Sequence, residues 1–122
     1  MQLLRLTQKT EFQRVTIPLP SSKSESNRAL VIDALTAGKN TLTNLAEARD
    51  TQTMIRLLQT NPAVFDVLDA GTTMRFLTAF VAVTNQQKVM TGTPRMCQRP
   101  IGILVDALRS LGAEIHYLGT EG

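Results

Sequence analysis

Tryptophan is absent from the 122 residues, and one tyrosine and four phenylalanines are the only aromatic side chains. So few flat rings weaken any reading as a single-stranded nucleic-acid binder, which needs surfaces on which bases stack. A single cysteine, Cys97, rules out an internal disulfide framework and suits a reducing compartment. His116 is the lone histidine, and no grouping of His, Cys and carboxylate has metal-ligand spacing, so no metal is expected. No apolar run is long enough to span a bilayer, and no early segment joins a basic start to an apolar stretch. A cytoplasmic location without a membrane partner is the expectation. Blocks of like charge are also missing. The formal charge of +3 is a mild basic excess scattered along the chain, which fits a small anionic substrate as well as a polyanion.

What is present is enough for one ordinary domain with a real core, since 43% of residues are hydrophobic. Residues 1–18 alternate loosely through Leu4, Leu6, Phe12, Val15 and Ile17 and read as extended. The pattern then predicts a helix over 24–37 stopped by Gly38, and a strand at 41–45. Asp50 is expected to cap a short helix closed by Asn61-Pro62. A strand over 64–68, a helix over 71–83 and a short strand at Val89-Met90 follow. The clearest helix runs over 100–111, with Pro100 at its first position and Gly112 at its end. Ile115, Tyr117 and Leu118 suggest a last strand. Strands alternating with helices define an α/β domain. The ending at 119–122 reads as a loop interrupted rather than a domain finished.

Three strand-to-helix junctions carry the chemistry. The first, Pro18-Leu-Pro-Ser-Ser-Lys-Ser-Glu-Ser-Asn-Arg28, places Lys23, Ser24 and Arg28 at a helix start whose position is marked by the Ser22/Glu25 capping-box spacing. Unpaired N–H groups and the positive end of the helix dipole favour phosphate or carboxylate there. The second, Asp69-Ala-Gly-Thr-Thr-Met-Arg75, opens the backbone at Gly71 and adds the hydroxyls of Thr72 and Thr73 and the charge of Arg75. Asp69 there is expected to cap the helix. The third, running from Gly92 to Gly102, holds Arg95 and Arg99 in a turn stiffened by Pro94 and Pro100. The planar arginine fork suits carboxylate and phosphate. Taken singly, each junction reads as well as a capped helix with a solvated cation. Together they repeat one device, and such junctions gather at one edge of an α/β sheet, so a shared anionic pocket is expected. Cys97 reads as a passive thiol and His116 as a structural or exposed residue.

In this order the three junctions closely resemble the EPSP synthase family, the 3-phosphoshikimate 1-carboxyvinyltransferases. The matching stretches are 19–28, 69–78, and 94–102 followed by 104–113. The resemblance implies an enolpyruvyl-transferase fold built from βαβαββ units. Residues 1–18 would belong to a strand crossing to the other domain, and 19–122 to part of a substrate-binding domain. It implies transfer of the enolpyruvyl group of phosphoenolpyruvate to the 5-hydroxyl of shikimate 3-phosphate, with release of phosphate and no cofactor. By resemblance Lys23 acts in catalysis and touches both substrates, Ser24 and Arg28 hold shikimate 3-phosphate, and Gly71 and Arg99 line the phosphoenolpyruvate site. Arg75, Thr72 and Asp69 stand beside them.

Members of this family are several times longer, and their acid/base carboxylates lie downstream of the stretch matched here. The 122-residue chain alone is therefore expected to be inactive and to self-associate through faces left without partners. The span 60–66 is shorter than in many members, Asp69 stands where many have asparagine, and Phe76 where many have proline. Two alternatives are a stand-alone binding module for small phosphorylated acids and a fragment of UDP-N-acetylglucosamine enolpyruvyl transferase. The second fits less well: that family's catalytic cysteine lies farther ahead of its arginine-proline pair than Cys97 does here, and the Lys23-Ser24…Asn27-Arg28 signature is wrong for it.

Overall fold

In the computed structural model, which describes residues 3–8, 11 and 14–122, five helices and two strands follow one another along the chain. Helix α1 (Lys23–Leu35) begins where Ser22, in extended conformation, accepts the Glu25 amide on its side-chain oxygen at 3.3 Å. This is the capping arrangement the spacing predicts. It ends as Ala37 and Gly38 both turn into the left-handed region (φ 61° and 65°) and the Gly38 N–H closes back on the Asp33 carbonyl at 2.9 Å. Helix α2 (Arg49–Thr60) stops at Asn61, also left-handed, whose N–H bonds the Leu57 carbonyl. Pro62, which has no N–H to donate, follows it.

Strand β1 (Val64–Asp66) lies parallel to β2 (Val89–Thr91), with Phe65 opposite Met90. Parallel neighbours need a crossover, and α3 (Gly71–Val83) supplies it. The pairing extends past the strands: the Val67 N–H donates to the Thr91 carbonyl and the Thr93 N–H to the Leu68 carbonyl, each at 2.9 Å. That extension sets the loop after β1 beside the loop after β2. A one-turn helix α4 (Pro94–Cys97), capped by Thr93, precedes α5 (Gly102–Ser110).

The core joins both layers. Met54 and Leu57 of α2, Phe65 and Val67 around β1, and Met74, Leu77 and Phe80 of α3 are buried together with Met96. Leu30, Val31 and Ala34 of α1 pack against them from one side. A mixed helix/strand unit with a small parallel sheet is the α/β fragment the sequence predicts.

Four local expectations are corrected. Residues 41–45 form no strand: Asn44 turns left-handed (φ 56°), which breaks the extension. The Ala46 amide is then taken by the Ser26 hydroxyl at 2.9 Å. Residues 115–118 form no strand either, because the Arg109 side chain bonds the Ile115 carbonyl twice, at 3.1 and 2.7 Å. Pro100 lies ahead of α5 rather than at its first position. Its carbonyl accepts from Arg75 at 2.8 Å instead of from the next helical turn. Asp50 and Asp69 cap nothing with their side chains; Ala48 and Ala70 occupy the cap positions. The N-terminal stretch is exposed and without regular structure where described, and Phe12 lies outside the described residues.

Candidate functional site

Two long-range polar bonds bring the starts of α1, α2 and α3 together. The Thr51 hydroxyl of α2 donates to the Asn27 side-chain oxygen of α1 at 2.8 Å, and the Thr73 hydroxyl of α3 donates to the Asp50 carbonyl of α2 at 2.8 Å. Asn27, Thr51 and Thr73 are fully buried, so the Thr51 bond forms away from competing water and the Thr73 bond is partly shielded; together they fix the three helix starts side by side. A pocket of about 320 Å³ opens where they meet. First-turn residues of all three helices line it: Lys23, Asp50, and Gly71 with Thr72. The N-terminal turns of three helices, each the positive end of a helix dipole, therefore border one cavity.

Arg99 closes the pocket from the loop between α4 and α5. Arg75 holds that loop in place. One guanidinium nitrogen donates to the Gly71 carbonyl at 3.2 Å and another to the Pro100 carbonyl at 2.8 Å, tying the α3 start to the residue after Arg99. The Arg99 guanidinium then lies directly over Gly71, where a Cβ would overlap it. Only glycine leaves that space. Among the described residues nothing accepts a hydrogen bond from the Arg99 guanidinium, so its fork is available to an incoming anion.

Two carboxylates balance the cations. Asp50 lies 3.7 Å from the Lys23 ammonium, and Asp69 lies 2.9 Å from a guanidinium nitrogen of Arg49. Phe76 supplies an apolar portion of the wall.

Of the residues singled out in the sequence, the structure gathers Lys23, Asp69, Gly71, Thr72, Arg75 and Arg99 around this one cavity. Ser24 and Arg28 stand elsewhere on α1: both are exposed, Arg28 donates to the Ser24 hydroxyl at 3.3 Å, and neither lines the pocket. Arg95 is exposed on α4. Cys97 is an exposed thiol near the Gly92 carbonyl, and His116 pairs with Glu114 at the surface. The sequence reading missed the contribution of α2. Asp50 looked like a cap, and nothing in its local pattern pointed to Lys23, which lies 27 residues earlier in the chain. Among the described residues no group of three or more His, Cys, Asp or Glu could hold a metal, and no helix is long and apolar enough to cross a membrane.

An α/β unit with three helix starts and an arginine around one polar cavity has the chemistry that suits an anion. The family model for EPSP synthase (3-phosphoshikimate 1-carboxyvinyltransferase) matches residues 7–60 and 57–122. The chain belongs to that family. It is 55% identical over 109 residues to a 3-phosphoshikimate 1-carboxyvinyltransferase of Bacteroides fragilis (strain YCH46), covering 89% of this chain and 27% of that protein. Proteins of the same name from Shewanella halifaxensis (strain HAW-EB4) and Shewanella woodyi (strain ATCC 51908 / MS32) are 41% and 39% identical. Those alignments cover 88% and 100% of this chain, and 31% and 34% of the relatives. The chain thus spans about a third or less of the length of the curated relatives it matches.

Proposed function

We propose that this chain supplies one wall of the active site of a cytoplasmic enzyme that transfers the enolpyruvyl group of phosphoenolpyruvate to the 5-hydroxyl of shikimate 3-phosphate. In that reaction a bond forms between the hydroxyl oxygen and the enolpyruvyl carbon. The bond from that carbon to the phosphate oxygen breaks, and the hydroxyl proton is lost as phosphate departs. The observation that carries the reading is the single cavity in which Lys23, Gly71 and Arg99 meet. The Arg99 fork and the α3 start receive the phosphate and carboxylate of phosphoenolpyruvate. Lys23, at the α1 end of the cavity, reaches both substrates and stabilises charge at the reacting centre, which makes it the catalytic residue of this wall. Ser24 and Arg28, one helical turn apart, take shikimate 3-phosphate where it extends beyond the cavity. Arg75 acts as the strut that carries Arg99, while Thr72 and Asp69 border the ligand.

The chain alone spans too little of its relatives to be expected to turn over, so binding and catalysis are tested separately. Calorimetry of the 122-residue chain against phosphoenolpyruvate should show saturable binding that Arg99→Ala abolishes. Phosphate release with both substrates should stay at background. Absence of binding at millimolar ligand would overturn the assignment of the wall. Turnover by this chain would overturn its dependence on further residues.

A further inference from the structure

The pocket rim carries a carboxylate, Asp69, in a place suited to anions. Left alone, that charge works against the site in two ways: it repels an incoming phosphate or carboxylate, and it offers Lys23 and Arg99 an internal partner in the same cavity. The structure shows what restrains it. Arg49, the first residue of α2, stands outside the pocket lining and places a guanidinium nitrogen 2.9 Å from an Asp69 carboxylate oxygen. Their side chains are 73% and 53% exposed, and a pair so open to water contributes little to folding stability. Its effect lies in the charge and direction of the Asp69 carboxylate.

We propose that Arg49 is a positioning residue of the anion site, turning the Asp69 carboxylate away from the pocket and cancelling its charge. The proposal rests on the reading of this cavity as a phosphate and carboxylate site. Arg49 touches no ligand in this scheme. It acts through Asp69, so its importance vanishes once Asp69 is neutral. That dependence separates charge compensation from a structural contribution, which removing a second charge would not repair.

The test is a double-mutant cycle in the full chain with phosphoenolpyruvate as the probe, read by calorimetry and by the backbone amide shifts of Gly71, Thr72 and Arg75. Arg49→Gln should weaken binding about three- to tenfold, the range for one uncompensated charge at the edge of a solvated site. Asp69→Asn provides the reference background, since it removes the charge that Arg49 is proposed to compensate. In that background Arg49→Gln should have no further effect, so R49Q/D69N should bind as D69N alone does, and Arg49→Lys should retain most of the parental affinity. Melting temperatures of all four variants should agree with the parent, reporting intact folds. If Arg49→Gln binds like the parent, or if it weakens binding as much in the Asp69→Asn background as in the parent chain, the proposal is overturned while the pocket assignment stands. If the parent chain neither binds the probe nor shifts those amides, the pocket assignment fails and this proposal fails with it.

Discussion

At the scale of single residues, two glycines show how one chemical feature serves two ends. A Cβ at Gly71 would meet the end of the Arg99 side chain, which can swing aside. A Cβ at Gly92 would sit 2.5 Å from the Leu68 carbonyl oxygen and 2.8 Å from Met96 Cγ, and that backbone cannot yield cheaply. The two alanine variants should therefore diverge. Gly71→Ala should melt close to the parent yet lose phosphoenolpyruvate affinity, because Arg99 is displaced from the pocket. Gly92→Ala should lose about 1–3 kcal/mol of stability in urea denaturation, as overpacked sites do. The place of Gly71 beside the pocket was legible from its position in a strand-to-helix turn. The demand on Gly92 was not, since it comes from a loop 24 residues away in the chain.

Among elements, the helices that announced themselves did so through local chemistry. Helix α3 runs over the predicted residues because its apolar spacing and its glycine start agree, and α1 begins next to Ser22 because that side chain caps it. Ser22→Ala should remove the cap bond to Glu25 and lower stability by about 1 kcal/mol, measurable by urea denaturation. Leu77→Ala, in the centre of α3 and fully buried, should cost more, about 2–5 kcal/mol. The short strands were less legible. Alternation at 41–45 and at 115–118 is real in sequence, but a strand exists only where another backbone pairs with it. In the first stretch the left-handed Asn44 breaks the run, and in the second a guanidinium takes the carbonyl a partner strand would need. Asp50 and Asp69 show the same limit: both have good capping chemistry, and both turn to cations on other parts of the chain.

For the whole molecule, the arrangement of exposed apolar side chains bears on behaviour in solution. Leu3, Leu4 and Leu6 near the N-terminus, and Ile103, Leu111 and Leu118 around α5, are all more than four-fifths exposed. The isolated chain should therefore associate as concentration rises, seen as a concentration-dependent mass in sedimentation; a monomer at every concentration would refute this. The sequence by itself determined the α/β alternation, the main helices and the three anion-suited junctions, because caps, glycine turns and apolar spacing act over a few residues. Tertiary structure alone decided which of those junctions share a cavity. It drew in the start of α2, left Ser24 and Arg28 outside, and set Arg49 against Asp69. Those outcomes depend on bonds such as Thr51 to Asn27 and Thr73 to Asp50, which join residues more than 20 positions apart and leave no periodic trace in the chain.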